Sequence, residues 1–175
     1  MTDWWTPPLG PEAAAWAALA LAGPLAAAAM VTDLRRMRIP NWLTGAMALL
    51  FLPAGLATLP LDAFAWRLAA GAGVLALGFA LFATGRMGGG DVKLLAAGAL
   101  WVPAAQASQA LLLLSATLLI GLAAVHGARA ALAAAGPGRP PAWRGLRRGA
   151  RFPMGVSIGA ALIAQFLLAV LAVSA

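Results

Sequence analysis

The sequence predicts an all-α integral membrane protein, with about six transmembrane helices in one bundle and residues 1–175 forming a single polytopic domain. Three observations predict it. Hydrophobic residues make up 63% of the chain, and the mean hydropathy is +0.89. Charged residues make up only 10%, against about 25% in an ordinary soluble domain. Segments such as ALLLLSATLLIGLAAV lack the polar face that a soluble helix shows on every turn.

A bilayer crossing needs about 20 apolar residues, and turn signals cut the chain into runs of about that length. The spans are expected at about residues 12–32, 41–60, 64–84, 91–105, 107–127 and 154–174. MTDWWTPPLGPE carries two acids and no base, unlike a secretory signal, so the first run is expected to stay in the mature chain. Pro53 and Gly55 are expected to kink the second span. The stretch from Leu94 to Val125 is too long for one crossing of about 30 Å, and Pro103, Gln106, Ser108 and Gln109 mark a turn inside it. The fourth span is short. From Asp91 to Trp101 it measures about 17 Å, too little to cross alone and enough to leave Asp91 recessed in a water-accessible dent. In the sixth span, Gly155 and Gly159 form a GxxxG pattern that suits close packing within the bundle.

Charge sets the expected orientation. Arg35, Arg36, Arg38, Arg86, Lys93, Arg129, Arg139, Arg144, Arg147, Arg148 and Arg151 fall on one side of the six-span layout, with only Arg67 opposite. The positive-inside rule places those loops in the cytoplasm and both termini outside. The net charge of +7 is therefore expected to meet anionic lipid at the cytoplasmic face, not nucleic acid. Trp4, Trp5, Trp66 and Trp101 near the outer ends, and Trp42 and Trp143 near the inner ends, read as interfacial anchors. Residues 129–152, rich in Gly, Pro and Arg, read as a flexible cytoplasmic loop.

The absence of cysteine excludes disulfides and thiolate metal sites, and a single histidine, His126, makes a histidine-based metal site improbable. No GxSxG, HExxH or GxxxxGK motif is present. The chemistry that remains rests on acids. Asp3, Glu12 and Asp62 lie in outer segments. Asp33 ends the first span and Asp91 begins the fourth, so opposite chain directions bring both carboxylates to one membrane face. Acids at such depth are costly and mark function or pair with neighbouring bases. Two close carboxylates share a proton and can together activate water against an amide without a metal or cofactor. Gly88, Gly89 and Gly90, just before Asp91, would permit positive φ and close approach of a substrate backbone.

Three stretches carry a family resemblance: DLRRMRIPNWLTG at 33–45, GRMGGGDVKLLAAG at 85–98 and RFPMGVSIGAAL at 151–162. Together they resemble the type IV prepilin peptidases, the GxGD membrane aspartic proteases, and most closely the short members that serve Flp/Tad pili. The resemblance implies that Asp33 and Asp91 are the catalytic pair, with Gly88 and Gly90 as the glycines of GxGD. It further implies an inner-membrane enzyme that removes the basic leader from pilin or pseudopilin precursors on the cytoplasmic side. Ile39, Pro40 and Asn41 match the family's start of the second span, and Lys93 its usual basic follower. Pro153 and Gly155 match a Pro-aromatic-Gly element in which Met154 replaces the aromatic. The longer relatives also methylate the new N-terminus and carry a four-cysteine insertion. This chain has neither those cysteines nor room for the insertion, which argues against methylation.

Helix ends suggest a division of labour within the pair. Asp91 at a helix N-terminus is favoured as the ionised base, and Asp33 at a helix C-terminus as the proton donor. Two other classes can use such acids: a noncatalytic pilus-assembly scaffold, and a small proton- or cation-coupled transporter.

Overall fold

A computed structural model of the chain describes residues 6–134, 142–147 and 149–174, and among these every regular element is helical. Six helices form the bundle. Helix α1 spans Pro11–Arg36, with a π-helical stretch at Ala18–Ala22. It is followed by α2 (Asn41–Thr58), α3 (Leu61–Ala83), α4 (Gly89–Ala99), α5 (Ala107–Ala134) and α6 (Met154–Ser174). All but α4 are long and apolar enough to cross a membrane.

The breaks between helices have local causes. Proline lacks a backbone N–H and fixes φ, so it suits the extended residue just before a helix. Pro40 (ψ 139°) precedes α2, Pro60 (ψ 151°) precedes α3, and Pro103 (ψ 142°) precedes a 3-10 turn at Ala104–Gln106. Helix α1 stops differently. Met37 takes the left-handed conformation (φ 56°, ψ 38°), and its N–H closes on the Asp33 carbonyl at 2.7 Å.

Small residues let the helices approach closely. Gly159 of α6 meets the Ala26 carbonyl and Met30 of α1, so this half of the GxxxG pattern packs inside the chain. Helix α4 lies between α2, α3 and α6: Val92 fills the space left by Gly78, and Leu162 the space left by Gly98. Leu77, Phe79, Leu112, Leu119 and Ile120 point outward and are exposed, as expected where acyl chains replace water.

The fourth span is short, as expected, but begins and ends two residues earlier than Asp91–Trp101. It starts at Gly89 and ends at Ala99, about 16 Å of helix, so it reaches only partway through a hydrocarbon layer of about 30 Å. Trp101 consequently lies inside the bundle and not at its rim. It is 5% exposed, its Nε1 donates to the Met47 carbonyl at 3.1 Å, and its ring meets Phe51 edge-on at 5.5 Å. Gln106, expected in an outer turn, accepts a 2.7 Å hydrogen bond from Gln165 of α6. A polar connection at that depth needs such internal satisfaction.

The basic segment 129–152 is described at 129–134, 142–147 and 149–152, and those residues are more ordered than their composition suggests. Its first residues continue α5 to Ala134, in keeping with the alanine-rich run there. Farther on, a 3-10 turn at Arg144–Leu146 buries Gly145 against Leu34 of α1. Arg129 Nη2 donates to the carbonyls of Gly145 (2.7 Å) and Arg151 (3.0 Å), and Arg35 stacks over Trp143 at 5.6 Å. Trp42, Trp66 and Trp143 are exposed. Asp3, Trp4, Trp5, Arg139 and Arg148 lie outside the described residues.

Candidate active site

At one end of the bundle, the last turn of α1 and the first turns of α2, α4 and α6 converge. Asp33 belongs to the final turn of α1 and is 6% exposed. The N–H of Gly155, in the first turn of α6, donates to its Oδ2 at 2.9 Å. This bond joins residues 122 positions apart. It places the positive end of a 21-residue helix against the carboxylate.

Asp91 sits in the first turn of α4, outside the five long helices. Burial first, and the nearby negative charge of Asp33 second, push its carboxyl up to about 6. Both aspartates line one open cavity of about 580 Å³. The same walls hold Gly88, Gly89, Gly90, Ile39, Pro40 and Asn41. The cavity therefore gathers two stretches about 50 residues apart in sequence.

The three glycines are required for space, not for an unusual backbone. Gly88 has φ −75° and ψ 139°, and the positive-φ glycines among the described residues are Gly85 and Gly149. A Cβ on Gly88 would lie 2.6 Å from Asp91 Oδ2, one on Gly90 3.1 Å from Ile39 Cβ, and one on Gly89 3.3 Å from the Phe82 ring. The positive φ that these glycines would permit is not used, because they open α4 in ordinary extended and helical conformations.

Ile39 and Gly155 also meet: a Cβ on Gly155 would lie 2.7 Å from Ile39 Cδ1 and 2.9 Å from Asp33 Oδ2. Pro153 is fully buried and directs the chain into α6. Lys93, a possible neutralising partner of Asp91 by spacing, instead donates from Nζ to Asn41 Oδ1 at 2.9 Å. Arg36, Met37 and Arg38 line the cavity as well. Arg36 and Arg38 read from the sequence as a topology signal, and Arg36 also as a base that could pair with Asp33; their position about one turn past Asp33 was the available clue to the cavity. Among the described residues, no cluster of three or more His, Cys, Asp or Glu side chains could hold a metal.

Two carboxylates thus line one open cavity. No curated protein and no solved structure matches the chain. The type IV leader peptidase family matches residues 20–126, more than half of the 175. That match contains Asp33, the Ile39-Pro40-Asn41 stretch and the glycine-rich start of α4, and with them every wall of the cavity. The chain belongs to the type IV leader peptidase family.

Proposed function

We propose that the chain is an aspartic endopeptidase that removes the basic leader from type IV pilin or pseudopilin precursors, of the Flp/Tad kind, with Asp33 and Asp91 as its catalytic pair. The observation that carries this proposal is the single cavity lined by both carboxylates and the three glycines. Family membership supplies the peptidase class. The concentration of basic residues at the ends of α1, α3 and α5 supports a cytoplasmic orientation of the cavity in the bacterial inner membrane, with the termini outside.

The hydrogen bond from Gly155 favours the ionised form of Asp33, and burial beside that charge favours a proton on Asp91. This reverses the assignment drawn from each aspartate's own helix, because that assignment omitted the N-terminus of α6. In the proposed mechanism, Asp33 takes a proton from water while the water oxygen attacks the scissile carbonyl carbon. Asp91 gives its proton to the carbonyl oxygen. The tetrahedral intermediate then collapses as the C–N bond breaks: the proton held by Asp33 passes to the leaving amine, and one hydroxyl of the intermediate returns its proton to Asp91 as the new carboxyl group forms. The glycines leave room for an extended peptide beside Asp91, in a cavity that Asn41 also lines.

The test is cleavage of a tagged prepilin in membranes carrying the wild type, Asp33→Asn or Asp91→Asn. Shortening of the precursor by the wild type alone, at equal expression, supports the proposal. Shortening by either variant at the wild-type rate contradicts it.

A further inference from the structure

Ile39 lies against both helix starts that hold the two aspartates: that of α4, which carries Asp91, and that of α6, whose Gly155 N–H binds Asp33. A Cβ on Gly90, the residue before Asp91, would lie 3.1 Å from Ile39 Cβ and 3.6 Å from Ile39 Cγ1. A Cβ on Gly155 would lie 2.7 Å from Ile39 Cδ1. The base of the side chain therefore rests on the first turn of α4, and its tip on the first turn of α6. Ile39 also lines the cavity that both carboxylates share and packs against the buried core.

The chain around Ile39 leaves it little freedom. Met37 ends α1 in the left-handed conformation, and Pro40 stands at the start of α2. A residue that precedes proline is pushed towards extended backbone, because the proline ring clashes with its helical conformation. A β-branched side chain is stiff at χ1, so the direction of its longer branch is fixed. Glycine at 90 and at 155 removes the Cβ atoms that would otherwise push these helix starts away from Ile39. Deeper in the bundle, α4 and α6 meet without a third residue between them, where Leu162 fills the space left by Gly98. In a close-packed interior, even one methylene more or less is felt by its neighbours.

We propose that Ile39 is a positioning residue, a stiff spacer between the first turns of α4 and α6 that sets the separation of Asp91 from Asp33. The proposal rests on the peptidase reading for the reaction that this separation serves. A pair of carboxylates that acts on one water must keep both groups within hydrogen-bond reach of it, and small displacements of a reacting group are costly. A change in the length of residue 39 should therefore act on turnover more than on substrate binding.

The first test reads the separation without any cleavage. The sequence holds no cysteine, so the full chain bearing Asp33→Cys and Asp91→Cys reports the approach of the two positions through its rate of disulfide formation in membranes under a mild oxidant. Ile39→Ala is expected to raise that rate about threefold or more as the two helix starts close on each other. Ile163→Ala, at a half-buried isoleucine farther along α6, is expected to leave it unchanged. An equal or lower rate with Ile39→Ala, or an equal rise with Ile163→Ala, would overturn the proposal.

The second test uses the chain with both aspartates and a prepilin substrate. Ile39→Val keeps the Cβ against Gly90 and removes the tip that meets Gly155. It is expected to lower kcat about threefold or more, with KM within about twofold of the wild type. Placed in Gly155→Ala, the same substitution is expected to raise cleavage, because the added methyl occupies the space of the lost one. An unchanged kcat in Ile39→Val, or a double variant no faster than Gly155→Ala, would overturn the proposal. If the wild type cleaves no prepilin, the peptidase proposal fails by itself, and the disulfide rate still decides whether Ile39 spaces the two positions.

Discussion

The Gly155 N–H donates to Asp33 Oδ2 at 2.9 Å, so the start of α6 fixes the carboxylate at the end of α1. A Cβ at Gly155 would sit 2.9 Å from that oxygen and 2.7 Å from Ile39 Cδ1. Gly155→Ala is therefore expected to lower cleavage by roughly tenfold or more, because misplacement of a catalytic group by a fraction of an ångström is costly. Helix content by circular dichroism should be retained. Gly73→Ala, where nothing lies within 4 Å, is the comparison and should cleave at the wild-type rate.

Gly88 faces Asp91 as Gly155 faces Asp33. A Cβ there would lie 2.6 Å from Asp91 Oδ2. Gly88→Ala is expected to reduce cleavage more than it reduces the melting temperature in detergent. A large fall in melting temperature with near-normal specific activity would show that the glycine serves packing alone.

Asp91 gives the activity a pH signature. Its carboxyl is raised to about 6 by burial and by Asp33, so its acid form is lost as pH rises through about 6. Cleavage should decline over that range on the alkaline side. The sign for stability is related: a folded pKa above the usual 3.8 means that the folded chain binds a proton the unfolded chain releases. This group should therefore add stability as pH falls from above 6 towards 4, and Asp91→Asn should flatten that part of the curve. Cleavage that rises steadily from pH 5 to 8 would contradict the assignment of the proton to Asp91.

Met37 stands in the left-handed region at φ 56°, at a cost of about 1–2 kcal/mol for a residue with a Cβ. Met37→Gly is expected to raise stability by about 1 kcal/mol, measurable by thermal unfolding in detergent. Met37→Val, β-branched at a positive φ, should lower it.

Much of this architecture was legible in the sequence. Each long apolar run became a helix because no polar face competed with lipid, and proline marked the breaks before α2, α3 and α6. Asp33 and Asp91 stood out because a carboxylate between apolar runs is costly. What was not legible depends on packing between distant segments. Trp101 looks like a rim anchor by position along the chain, yet α4 stops early and carries it against Phe51 and Met47. The reach of α6 to Asp33 crosses 122 positions, so neither residue's neighbours reveal it.

The most direct test is whether Asp33 and Asp91 act as one catalytic unit. Single-turnover cleavage of a prepilin should be timed for the wild type, Asp33→Asn, Asp91→Asn and the double variant, all purified at equal fold content. Each single variant is predicted to be as slow as the double, because a dyad that has lost either member has lost the chemistry. Partial rates in the two single variants that multiply to give the rate of the double would show two independent contributions and contradict the dyad.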